Sequence, residues 1–175
     1  MTVSVWRIAQ DARNYEADDV SGKGAEITGG RWNHKGTPLL YTSASRALAC
    51  LETVVHLNAG GLPLNRYLVE IVIPAPAWRA ATIVTAASAR VGWDAEPAGK
   101  TSMDFGTAWV RSAESLLLIV PSVVVPEEAN VLINPLHADA RTLHAVSVRR
   151  WLYDPRLKAD AAYARAAVSA GTRGP

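Results

Sequence analysis

Apolar and polar positions alternate from Thr2 to Ala9 around Val3, Val5 and Ile8, which predicts a first strand with Arg7 on the face opposite Ile8. The same period of two returns from Arg66 to Pro74, where Tyr67, Val69, Ile71 and Ile73 surround Glu70. Leu116 to Val120 is an unbroken apolar run, as expected of a strand buried on both faces. Pro121 and Ser122 interrupt it before Val123-Val124-Val125, and a proline removes a ladder donor, so a bend belongs there. Val131 to Asn134 and Val146 to Tyr153 read as two further strands. Helical spacing takes over in two places. Leu48, Leu51, Val54 and Val55 predict one buried helix face, and Phe105, Ala108, Trp109 and Ser112 predict another within Asp104 to Ser112.

Between these elements, Asp18 to Gly30 carries four glycines without hydrophobic rhythm and reads as a loop. Asn58 to Pro63 reads as a glycine-rich turn, and prolines break the stretch Ala75 to Ala81. Thr82 to Arg90 fits either a short helix or a strand. The alanine-rich stretch Lys158 to Ser169 predicts a helical tail. Together the elements predict an α+β fold: one domain with a split, mostly antiparallel sheet and flanking helices. A length of 175 residues suits a single domain.

The densest information lies between Gly29 and His56. Two glycines and Arg31 lead into an apolar strand, Leu39-Leu40-Tyr41, which passes straight into the first helix, with Ser43 or Ser45 as its cap. Glu52 lies on or beside the apolar face of that helix. A carboxylate there needs partners, because burying an unpaired charge is expensive. Arg31, on the glycine-rich loop upstream, is the candidate, so Arg31, Tyr41 and Glu52 are expected to wall one polar pocket.

Composition narrows the function classes. The net charge is +2, and no basic run is longer than Arg149-Arg150, which disfavours sequence-independent nucleic-acid binding. The single cysteine, Cys50, permits no internal disulfide and suits a small buried side chain. His34, His56, His137 and His144 are too scattered to argue for a zinc site. The N-terminus has no apolar run of signal length, so a cytoplasmic protein is expected. Neither GxGxxG nor GxxxxGK[ST] occurs, and no serine sits in a GxSxG elbow.

The run Gly-Gly-Arg-Trp-Asn, then Tyr41-Thr42-Ser43, then Ala49 to His56, resembles the RES domain, a family named for an arginine, a glutamate and a serine. The third letter falls on Ser122, and Leu132 to His137 also fits the pattern, so the resemblance spans roughly Trp6 to Leu157. On that reading residues 1–157 form the domain and residues 158–175 are its helical tail. The resemblance implies an ADP-ribosyltransferase-like core and an NAD-consuming toxin of a type II toxin–antitoxin pair. It also implies a helix-turn-helix (Xre-type) antitoxin that blocks the active site, with no metal.

The residues suit that chemistry. Breaking the nicotinamide–ribose bond expels a neutral base, so no second carboxyl is needed to protonate a leaving oxygen, unlike ordinary glycoside hydrolysis. One carboxylate, Glu52, can stabilise the developing positive charge. The assigned catalytic set is Arg31, Tyr41 and Glu52. Arg31 supplies a bidentate fork for pyrophosphate and Tyr41 a stacking ring. Arg7, Ser122 and Asn134 join Arg31 and Tyr41 as NAD contacts. Water, phosphate and a protein all attack the same carbon; the expectation favours water or phosphate narrowly, with ADP-ribosylation of a protein second. A catalytically silent partner-binding domain is the non-enzyme alternative.

Overall fold

A computed structural model describes residues 1–57 and 62–157. The expected turn at Asn58 to Pro63 therefore lies mostly outside the described residues, and the expected tail helix lies wholly outside them. The strands are β1 (Thr2–Gln10), β2 (Leu40–Ser43), β3 (Arg66–Pro74), β4 (Thr82–Ile83), β5 (Leu117–Pro121), β6 (Ala129–Ile133) and β7 (His144–Trp151). The α-helices are α1 (Lys23–Thr28), α2 (Arg46–Val54), α3 (Ala75–Arg79) and α4 (Lys100–Ser112).

All seven strands form one sheet in the order β4-β5-β6-β2-β1-β3-β7, antiparallel except for β4 against β5. The join at its centre is slight. β1 pairs with β3 along its full length, and β2 pairs with β6 through all four residues. Between β1 and β2 the register is a single pair, Trp6 with Ser43. The sheet is therefore split into two halves that separate beyond that pair. The fold class read from the hydrophobic pattern matches this architecture.

Both faces of the sheet are covered where the sequence runs apolar. On β5 and β6, Leu117, Val131 and Ile133 pack into one cluster with Val5, Val69, Ile71 and Ile73. Leu118, Val120 and Leu132 point the other way, into a cluster with Trp32, Leu39, Trp93 and Trp109. A third cluster joins Trp6 and Ile8 of β1 to Ala49 of α2 and to Tyr153. That last cluster seats α2 beside the split.

Several elements differ from expectation, each for a local reason. The glycine loop contains α1, a short helix held between Gly22 and Gly29, both at φ 71°. α3 forms despite its prolines because Pro74 is its cap and Pro76 falls in its first turn, where no amide hydrogen is needed. Thr82–Ile83 is strand, one of the two states that its sequence fits, so this element does not differ. Val123-Val124-Val125 is not strand: Ser122 donates its amide to the Glu128 carbonyl and Glu128 to the Val125 carbonyl, closing a tight loop. In α4 the buried residues are Ser102, Gly106, Thr107, Trp109 and Val110, while Ala108 and Ser112 are exposed. Small residues make that face, so counting only apolar side chains rotated it. Val55, expected on the buried face of α2, is exposed.

Candidate active site

A cleft of about 920 Å³ opens where β1 and β2 separate, within the size usual for small-ligand sites. Arg7, Arg31, Tyr41 and Glu52 all line it. Ser122 and Asn134 do not.

Glu52 is placed by α2, whose start is fixed by Ser45: its hydroxyl accepts the Leu48 amide at 3.1 Å. The carboxylate is half-buried. Its Oε1 accepts from the Ser122 hydroxyl at 2.7 Å and from Asn130 Nδ2 at 2.5 Å. Asn130 is itself aimed by Ser43, which donates to Asn130 Oδ1 at 2.7 Å across the β2–β6 pairing. Ser122 accepts the amides of Val124 and Val125, both at 3.0 Å. Among the described residues Oε2 receives no hydrogen bond. One oxygen of Glu52 is thus clamped and the other is not.

Arg31 is not the partner of Glu52. Its Nη1 donates to the carbonyls of Trp93 at 3.1 Å and Ala95 at 2.7 Å, and its Nη2 donates to Glu96 Oε2 at 2.8 Å. The loop that receives it is anchored by Trp93, which stacks on Trp32 with ring centroids 6.2 Å apart. Tyr41 is held by the same neighbours. Its hydroxyl accepts the Trp32 amide at 2.9 Å and donates to Asn33 Oδ1 at 2.7 Å. Burial pushes the Tyr41 phenol well above its ordinary range, against the Trp32 hydrogen bond and the charge of Arg31. Tyr41 therefore stays neutral near pH 7 and is no base. Gly30 leaves room for that hydroxyl, since a Cβ there would lie 2.6 Å from it.

Arg7 enters from β1, where its Nη1 donates to the Asp19 carbonyl at 3.4 Å. Burial lowers the guanidinium from its ordinary value, opposed by Asp19, Tyr15 and Asp18; an arginine nonetheless remains charged. His56 also lines the cleft, just beyond α2.

Two assignments need correction. Asn134 is fully buried at the far end of β6, where Nδ2 donates to the Val110 carbonyl at 2.9 Å and Oδ1 accepts the Leu136 amide at 2.9 Å. Its polar atoms bond backbone, and it is buried away from the cleft. Ser122 is also fully buried and touches Glu52 rather than the cleft. Its oxygen joins a carboxylate to two amides, so Ser122→Ala is expected to cost about 1–3 kcal/mol. That corresponds to a fall in Tm of roughly 2–12 °C for a chain of this size. A thermal melt of the variant checks it; an unchanged Tm contradicts the clamp.

A family model described as the RES domain matches residues 4–156. This chain belongs to the RES domain family of toxins. A Sphingobium sp. (strain YBL2) protein named Prs ADP-ribosylating toxin is 62% identical over 157 residues, covering 90% of this chain and 98% of that protein. A Yersinia enterocolitica protein named Toxin Res is 40% identical over 147 residues, covering 83% of this chain and 95% of that protein. In fold, the RES domain described above is similar to a chain of the M. tuberculosis MbcT-MbcA toxin-antitoxin complex, with a TM-score of 0.58, 16% identity and 85% of each chain covered. Sequence reasoning missed Asn33, Glu96 and Asn130. Asn33 stands inside the Gly-Gly-Arg-Trp-Asn run and could have been found there; the other two depend on contacts remote in sequence.

Proposed function

We propose that this RES domain toxin binds NAD in the cleft between β1 and β2, breaks the nicotinamide–ribose bond and transfers ADP-ribose to a protein. The single observation that carries the chemistry is the clamped carboxylate: Oε1 of Glu52 is fixed by Ser122 and Asn130, while Oε2 receives no bond among the described residues. As nicotinamide leaves with the bonding pair, positive charge grows on the ribose carbon. A pre-aimed carboxylate stabilises that charge more than it stabilises the ground state, which is what lowers a barrier. The nucleophile then bonds to the same carbon and loses its proton. Arg31 is the proposed pyrophosphate contact and Tyr41 the proposed stacking ring, with Arg7 as a second cation.

A protein acceptor is placed ahead of water or phosphate because the relative at 62% identity is named for ADP-ribosylating Prs. The same acceptor, Prs, is the specific proposal. The test incubates purified toxin with NAD labelled in its adenylate half, with and without purified Prs. Label is expected on Prs and is expected to vanish with Glu52→Gln. Label that moves only into small molecules would return water or phosphate to first place.

An Xre-type helix-turn-helix antitoxin is the proposed partner. It silences the toxin by covering the cleft mouth, since a concave site is readily blocked. A complex that consumes NAD at the free rate overturns this.

A further inference from the structure

Arg31 faces the cleft with its charge already answered. Two of its hydrogen bonds go to the backbone carbonyls of Trp93 and Ala95, which tie the guanidinium to the loop. The third goes to Glu96, and it differs in kind. The side chain of Arg31 is 18% exposed, whereas that of Glu96 is 78% exposed, so the carboxylate stands mostly in water and can swing away without opening a hole. Without Glu96, Arg31 keeps its two bonds to the loop backbone. What it supplies is negative charge at the cleft wall, and both residues line that cleft.

The other cations of the cleft are also engaged. Lys23 bonds Glu26 at 2.6 Å, and Arg7 donates to the Asp19 carbonyl. An anionic ligand that seeks a forked donor at Arg31 therefore meets Glu96 first. Guanidinium–carboxylate and guanidinium–phosphate pairs use the same donors, so the two anions compete for one position.

We infer that Glu96 is an internal placeholder for the ligand's phosphate at Arg31, a residue that sets NAD affinity by competing with the substrate. This rests on the proposal that the cleft takes NAD, and it makes a prediction of opposite sign to a supporting role. If Glu96 merely helped to hold Arg31, removing its charge would weaken ligand binding. A competitor, when removed, strengthens it. Exposed ion pairs contribute little, so the gain is modest: about two- to five-fold.

The experiment titrates inorganic pyrophosphate into the purified full chain and into Glu96→Gln, and measures KM for NAD in parallel. Glu96→Gln is expected to bind pyrophosphate about two- to five-fold more tightly and to lower KM in the same proportion. In an Arg31→Gln background the gain from Glu96→Gln is expected to vanish. Equal or weaker pyrophosphate binding by Glu96→Gln overturns the placeholder, whatever NAD does. Tighter pyrophosphate binding in a protein that neither binds nor turns over NAD supports the placeholder and rejects the NAD reading of the cleft.

Discussion

Replacing Glu52 with glutamine is expected to lower NAD turnover by at least about 10²–10³-fold, the usual loss when one preorganised electrostatic contact to a transition state is removed. The substitution keeps the shape of the side chain and removes its charge. The clamp can persist, because Ser122 and Asn130 both donate to the same oxygen, Oε1, and an amide keeps one acceptor oxygen. If that oxygen stays between the two donors, the amide nitrogen takes the place of the free Oε2. A hydrogen-bond donor then stands where a negative charge should meet the ribose. Folding should change little, since the carboxylate is half-buried and its partners keep an acceptor. The measurement is steady-state NAD consumption together with a thermal melt. Near-normal turnover by a folded Glu52→Gln protein would remove Glu52 from the catalytic role.

Glu52 was legible in the sequence because an acidic residue on an apolar helix face is a local contradiction, visible without any tertiary information. Its partners were not. Arg31 was expected beside it because Arg31 lies close in the chain, but the β2–β6 pairing decides who reaches that carboxylate. The pairing sets Ser43 opposite Asn130 and so delivers Asn130 to Glu52. Asn134 lies just past the other end of the same strand, and only position along the strand separates a cleft residue from a buried one. Ser122 stands at the bend that the proline predicts, and its neighbour in the structure is Glu52 rather than the cleft. Its hydroxyl bonds its own loop, as serine does in turns, and then spends its proton on Glu52. The sheet was legible from its period of two, while its central split was not, because one weak pair between long strands leaves no mark on hydropathy. The prolines of α3 and the glycines of α1 read as breakers in the sequence; position within a turn decides whether they break a helix or start one.

Gly106 is expected to be the least replaceable small residue on α4. A Cβ built there would lie 1.9 Å from the carbonyl oxygen of Trp32, 2.8 Å from its carbonyl carbon and 3.0 Å from its Cβ. The obstacle is chiefly backbone, which cannot rotate aside as a flexible side chain would. Gly106→Ala gains helix propensity, about 1 kcal/mol at most, and must pay for separating α4 from Trp32. Overpacking of one methyl in a core costs typically about 1–3 kcal/mol, and a backbone clash of this depth belongs at or beyond the top of that range. A fall in Tm of roughly 5–10 °C is expected after the propensity gain is subtracted. The same shift should reach the cleft, because Trp32 donates its amide to Tyr41 and stacks on Trp93, whose carbonyl holds Arg31. NAD affinity is therefore expected to weaken at temperatures where the variant is fully folded. Ala108→Ser, on the exposed face of the same helix, is the control and should change neither quantity appreciably. A Gly106→Ala protein that melts within about 2 °C of the parent would mean that α4 can lift off Trp32 cheaply, and the close approach would lose its structural meaning.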